Sequence, residues 1–479
     1  MASSEHATSR RSFLKSAAAV SVAGGTIALV DQLTGGITRA DAAPRTPFHD
    51  EQYLVNGLVA ITDNGLEVLL PPLYKYIITG KLKRTLKWDI KRLKNAQAKL
   101  EKVLAQVEAN KPKTAAGLTV VVAWGLPYFR NFIKPGLSAS TYNAVWPRES
   151  GGATDAVIDA IKFGSDPDSL ILEDNEVMFM IRSDSPVVLD DVRSKLFKPG
   201  SVSYIGDLID VTSVRSGFVG RGFDKPSLAK QLAVKAGVAG ADSIPDASQL
   251  MMGFTSTQKA ALGPDNIASF ETLGLTTVRP GDYFSGGAAM HLSHLYEDLA
   301  LWYGQGYDER VSRMYSPRVA AGAGTVTLPN GPGDVSTRDD VLADAVRGPG
   351  GHNSLLQQAT RLGAACTDAY GKIRAAGTPV PVREDFNTLD QPFTTSANPA
   401  RDQWNVTQNR PGLHFVVFVP ASGRFHAARH AMDGVLPGGT TVGTPHGNGI
   451  NAMLSTTHRQ NYLVPPRTHR SFPMAELLR

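Results

Sequence analysis

An imidazole and a guanidinium stand thirty-one positions apart in the later part of the chain. His352 follows Gly350-Gly351, and Arg383 lies in Pro381-Val382-Arg383-Glu384-Asp385-Phe386-Asn387, ahead of the apolar run Leu413-His414-Phe415-Val416-Val417-Phe418-Val419. These are the group types that a heme iron uses on its two faces: a neutral ring nitrogen as ligand, and a fixed cation that stabilises a departing oxygen anion. The plain alternatives are a histidine that sits near a helix N-terminus and an arginine on the surface.

Other groups offer weaker chemistry. His291 and His294 lie three apart in Ala289-Met290-His291-Leu292-Ser293-His294, so they face opposite sides on a strand and the same side on a helix. His426 and His430 have the i, i+4 spacing that could chelate zinc or copper on a helix, but no third ligand is evident, and a solvated face is the simpler reading. Cys366 is the one cysteine, which rules out an internal disulfide and thiolate zinc or iron–sulfur sites; it reads as a small buried residue, or else as a heme thiolate or a reactive thiol. Gly217-Phe218-Val219-Gly220-Arg221-Gly222 lacks the strand-to-helix setting of a dinucleotide loop.

The elements that must position these groups follow from periodicity. Apolar residues at helical spacing from Leu82 to Val107 predict one long amphipathic helix, with Lys83, Lys87, Lys91, Lys94 and Lys102 on its outer face. Strands are expected at 118–124 and 176–182, helices at 153–163 and 187–197, and a polar, glycine-rich crossing at 198–224. The second half repeats the style. Strands are expected at 289–292 and 413–419, and helices at 295–303, 339–346, 354–375 and 425–433. Loops are expected at 318–337 and 388–411, and a basic, solvated tail at 456–479.

At 479 residues, with 42% apolar and 19% charged, the chain can bury two or three cores. Ser9-Arg10-Arg11-Ser12-Phe13-Leu14-Lys15, a weakly apolar run from Ala17 to Val30 and Ala40-Asp41-Ala42 form the three parts of an export signal, and the paired arginines resemble the twin-arginine type. The apolar run is short of the roughly twenty residues a span needs, so cleavage is expected and no stable membrane span after it. Net charge is +5. Residues 1–42 hold four basic and three acidic residues, so the remainder carries +4, too little to argue for nucleic acid.

Several segments, in this order, resemble dye-decolorizing peroxidases. Leu118-Thr119-Val120-Val121-Val122-Ala123-Trp124-Gly125 through Phe129 is similar to that family's strand and turn, and Asp174 through Pro186 to its next strand and helix start. Met252-Gly253-Phe254 stands where the family has Gly-Phe-x-Asp-Gly. Gly286-Gly287 through Trp302 resembles its Gly-Gly strand with a following helix, and Gly412 to Phe418 with Arg424-Phe425 its last core strand and helix. Most of 115–435 is covered, by short pieces.

The resemblance implies an α+β fold of two ferredoxin-like halves with antiparallel sheets, of the dimeric α/β-barrel type, at 43–215 and 216–479 after a signal at 1–42. It implies a secreted, periplasmic or envelope-associated peroxidase that holds heme b and oxidises small molecules with hydrogen peroxide, delivered by the twin-arginine machinery; a homo-oligomer stays open. His352 inherits the proximal ligand role and Arg383 the distal one, the latter from the family's Leu-Arg-Arg-Gly-Tyr segment. His291 is a candidate near a heme propionate. The family's distal aspartate is absent: Ser256-Thr257 stand there, so Arg383 with water, Asp265 or Asp385 must move the proton. A non-catalytic relative, with or without heme and with a binding or scaffolding role, is the alternative that this departure raises.

Overall fold

A computed structural model of the chain describes residues 59–253, 283–389 and 410–479, except 64–65, 113, 150–153, 221–226, 247, 319, 323–324, 328–335, 363, 368–372, 375 and 377–379. The first unit runs β1 (Tyr74–Leu82), α1 (Ile90–Glu108), β2 (Thr119–Gly125), β3 (Val177–Ser183), α2 (Pro186–Phe197) and β4 (Ile209–Phe218). Its spatial order is β4-β1-β3-β2, antiparallel throughout, which is the ferredoxin-like βαββαβ arrangement.

The second unit repeats it. β5 (Ala288–Glu297) is followed by helices that include α3 (Leu299–Tyr303) and α4 (His352–Thr360), then by β6 (Val382–Arg383) and β7 (Phe386–Thr388). β8 (Gly412–Val419), α5 (Ser422–Met432) and β9 (Leu454–Val464) complete it, and β9-β5-β8-β7 are antiparallel neighbours. The units join at two seams. β9 meets β2 through Tyr462↔Gly125 and Leu463↔Trp124, and β7 meets β4 through Asn387↔Phe218. Eight of the ten strands in this sheet therefore close into an antiparallel barrel; the other two, β6 and Ile171–Leu172, extend it beside β8 and β9. The α+β class and the ferredoxin-like halves expected from the sequence are what the chain adopts.

Closure buries the inner face of the strands and the helices cover much of the outer one, so side-chain alternation sorts residues between two cores. On β2, Val121 and Ala123 point into the barrel, with Met178, Met180, Met290, Leu292, Val416 and Phe418. Val120, Val122 and Trp124 point out to α1 and α2, together with Phe179 and Ile181. The barrel interior is not all apolar. Lys75, Arg182 and Glu384 are fully or almost fully buried, and Glu384 accepts from Lys75 Nζ at 2.6 Å and from Arg182 Nη1 at 2.8 Å.

Five expectations are corrected. The long helix begins at Ile90: Asp89 caps it by accepting from Arg92 N at 2.8 Å, and the residues before Lys83 belong to β1. Residues 154–163 form no helix and run as irregular chain, bridged at Arg148↔Asp155 and packed through Phe163 on α5. The supposed crossing at 198–224 contains β4, and the supposed tail contains β9. Both strands read as polar because the barrel interior accepts Ser213, Arg215, His458 and Gln460 on them. The helix expected at 354–375 ends at Thr360, and the chain continues as the short pair Cys366–Thr367 with Ile373–Arg374.

Candidate functional site

β6, β7 and β8 set the direction of each group in the Arg383 segment. Arg383 pairs with Val417, whose side chain lies in the outer core, so residues of odd number here face outward. Glu384 turns inward to Lys75 and Arg182, and Asp385 turns outward again. The Asp385 carboxylate is buried, accepts from Val416 N at 3.2 Å and lies 3.9 Å from Arg383 Nη1.

His352 is the first residue of α4. Two glycines let it approach: a Cβ on Gly351 would fall 2.3 Å from Tyr315 O, and one on Gly449 would fall 2.9 Å from His352 N. Ser354 N donates to Tyr315 O at 3.1 Å, which fixes the first turn. The residue is partly exposed, yet its Nδ1 is buried and has no hydrogen-bond partner. Burial, and then the charges of Arg383 and Arg429, push its basicity down to about 3. The ring is therefore neutral throughout the ordinary pH range. Arg383 on β6 and Arg429 on α5 thus both lie near this imidazole on α4.

Arg429 is itself held by the first unit. Its Nη2 donates to Ser165 Oγ at 2.9 Å and lies 3.5 Å from Asp166 Oδ1, and Nη1 lies 3.4 Å from Asp433 Oδ1. Arg459 on β9 also pairs with Asp166, at 2.5 Å and 2.8 Å. This network fixes segment 161–168 over the outer face of the second sheet.

His291 and His294 fall on opposite faces of β5, as strand geometry requires. His291 is outward, under α5, and stacks on Phe425 with centroids 3.4 Å apart. Its Nδ1 lies 2.7 Å from Asn461 Oδ1 and its Nε2 2.6 Å from Ser293 Oγ, so both nitrogens are committed within the protein. His294 is inward, 5.0 Å from the ring of His414, with Nδ1 2.6 Å from Thr457 Oγ1. His426 is buried and His430 exposed on α5, both edge-on to Phe163. Among the described residues no group of three His, Cys, Asp or Glu side chains could hold a metal ion.

Two groups escaped the sequence reading. His414 is fully buried in the barrel with neither ring nitrogen partnered, and Glu297 is buried at the end of β5 with Oε2 unpartnered. Burial and the nearby Asp385 push the Glu297 carboxyl up to about 8. The outward phase of β5 could have indicated Glu297; nothing in its neighbours marks it as buried. The signal at 1–42, Ser256-Thr257, Asp265 and most of the 388–411 loop lie outside the described residues.

A family model described as "Family of unknown function (DUF7405)" matches residues 82–466. The chain belongs to that family. No curated protein matches it. Among solved structures it is similar to a DyP-type peroxidase from Cellulomonas bogoriensis, at 16% identity and a TM-score of 0.48 over 83% of this chain and 90% of that one. It is also similar to a dye-decolorizing protein from V. cholerae, at 15% identity and a TM-score of 0.47 over 84% and 97%. A third is a Rhodococcus jostii RHA1 DypB variant in complex with heme, at 11% identity and a TM-score of 0.46 over 84% and 96%. At these values the likenesses decide nothing about chemistry, and the ferredoxin-like architecture stands on the strand order.

Proposed function

We propose that this protein is an exported, heme-dependent peroxidase of the dye-decolorizing type, which uses hydrogen peroxide to oxidise small organic molecules. One observation carries the reading: a neutral, buried His352 nitrogen without a partner lies within the electrostatic reach of Arg383, at the outer face of the second sheet. A heme ligand must be a deprotonated ring nitrogen not already engaged, and His352 meets that condition where His291 does not. Heme b held here would supply the iron at which peroxide is reduced. Within the chain, His352 would hold the iron and Arg383 would stabilise negative charge on the departing oxygen, while Asp385 keeps Arg383 in place.

The test is an absorption spectrum of the purified protein with His352→Ala beside it. A Soret band that is lost or strongly shifted in the variant is the expected result; a band unchanged by the substitution removes His352 as ligand.

A second reading is favoured by the same unpartnered Nδ1. In a peroxidase a carboxylate or carbonyl usually accepts from the ligand's second nitrogen and orients it; with Nε2 as the ligand atom, Nδ1 would be that second nitrogen, and it has no acceptor. A relative with a binding or scaffolding role, with or without heme, would need none. Peroxide turnover with a phenol or dye separates the two. Export through Ser9 to Lys15 and cleavage near Ala42 belong to this proposal; a mature N-terminus at residue 43 supports them, and an uncleaved chain overturns them.

A further inference from the structure

Inside the barrel, on the face of β8 opposite Val417 and Arg383, lies a polar cluster that takes no part in the proposed reaction. His414 on β8 stands directly opposite His294 on β5, and His294 opposite His458 on β9, so three buried imidazoles form one row across adjacent strands. The rings of His294 and His414 lie 5.0 Å apart, and Phe386 of β7 closes the other side of His414 at 4.9 Å. Thr457, where the β9 register shifts, has its hydroxyl 2.6 Å from His294 Nδ1 and 3.1 Å from His458 Nδ1. From β4, Arg215 donates through Nη2 to both oxygens of Glu173 at 2.6 Å and through Nε to Ser213 Oγ at 3.1 Å. Tyr462, near Arg215 and Glu173, donates to Gln460 Oε1 at 2.9 Å. Lys75 Nζ lies 5.8 Å from the Phe386 ring, but Glu384 holds it.

His414 is the member left over. A neutral imidazole has one N–H to give and one lone pair to fill, and neither nitrogen of His414 has a partner among the described residues. Such a group is costly to bury unless something bonds it. The charges around it cancel, because Glu173 matches Arg215, and burial, then His294, Arg215 and His458, hold the His414 imidazole neutral. A dry site of zero net charge admits an anion only if a proton comes with it.

We propose that this end of the barrel interior binds a small monovalent oxyanion, of the size class of formate or nitrate, together with one proton that His414 takes up. A proton leaves water, an N–H bond forms on His414, and the anion accepts from the resulting imidazolium; no electrons move. Protonation turns the one lone pair of His414 into a second donor, which suits an anion and not a cation. Nor is the row a metal site: Nδ1 of both His294 and His458 faces Thr457, and among the described residues no three ligating side chains could hold an ion. The site stands whether or not the protein carries heme.

The experiment is titration calorimetry on the full chain at pH 7 with sodium formate and with sodium nitrate, each in two buffers of different ionisation heat. Saturable binding of either anion is expected, with about one proton taken up per anion. His414→Leu should weaken that binding by about tenfold or more, the size of a lost hydrogen bond to a charged group. Glu173→Gln removes the counter-charge of Arg215, so it should still bind the anion and lose most of the proton uptake. Should His414→Leu fail to fold, nitrogen NMR of the parent decides: the anion should turn one imidazole from its neutral to its doubly protonated signature. The proposal is overturned if neither anion saturates, which leaves ordered water as the partner of His414. It is equally overturned if binding survives undiminished in His414→Leu, or if no proton accompanies the anion in the parent.

Discussion

Glu384 in the second unit accepts from Lys75 Nζ in the first at 2.6 Å, with both side chains cut off from solvent inside the barrel. Arg182 joins from β3, and its Nε also donates to Thr119 Oγ1 at 3.0 Å. One carboxylate therefore holds two buried cations and ties the two ferredoxin-like units through the interior. Burial, and to a lesser degree the charge of Arg182, lower the basicity of Lys75, and Glu384 opposes that shift.

Replacing Glu384 by leucine removes the carboxylate that both buried cations bond, which should cost about 3–5 kcal/mol of stability. Chemical denaturation measures it, and adding Lys75→Met and Arg182→Met to the same chain should restore most of the loss. A Glu384→Leu protein as stable as the parent would show that the triad is solvated.

The inward histidines make stability depend on pH. Burial, followed by neighbouring imidazoles and Arg215, holds His294 and His414 well below the usual range, so both are neutral in the folded chain. The unfolded chain takes up their protons near pH 6.5, so this stability is fully present above that value and drains away as pH falls below it. The expected slope is about 1.4 kcal/mol per pH unit for each such histidine. His414→Leu should remove one histidine's share, measured as denaturation midpoints between pH 7 and 5.

At the candidate site, Arg383→Ala should leave the Soret band in place and slow the reaction with peroxide by about 10²–10³-fold, the size of a lost charge-stabilising donor. Stopped-flow absorbance checks it. Loss of the band in this variant would place Arg383 in heme retention instead.

Gly351→Ala tests the seat of His352. The added methyl would fall 2.3 Å from Tyr315 O, which is backbone and cannot swing aside. The N-terminus of α4 must shift, at about 1–3 kcal/mol for overpacking. Thermal unfolding and heme retention should both fall; an unaffected variant would mean that His352 has slack.

The sequence disclosed the architecture where strands and helices bury apolar residues on a regular period. Val120, Val121 and Val122 announced β2, and the run from Leu413 to Val419 announced β8, because a strand buried on both faces is continuously apolar. β4 and β9 stayed hidden for the converse reason. Arg215, His458, Arg459 and Asn461 are charged or polar, and only closure of the barrel shows that each is buried or nearly so, against Glu173, Thr457, Asp166 and His291 respectively. For the site, His352 and Arg383 could be singled out by residue type, whereas Glu297 could not. Glu297 is buried at the end of β5, and no local pattern marks it as such.

The order of strands around the ring has a consequence for biogenesis. β9 follows every other strand in the chain, yet it sits between β2 of the first unit and β5 of the second. Until it arrives, the β2 edge has no neighbour, and the opposite seam is a single residue pair, Asn387 with Phe218. A nascent chain therefore carries bare strand edges, open to pairing with other chains, through most of its synthesis. Completion of the ring is a late, all-or-none event, and chaperone demand should end abruptly when the segment from Leu454 to Val464 inserts.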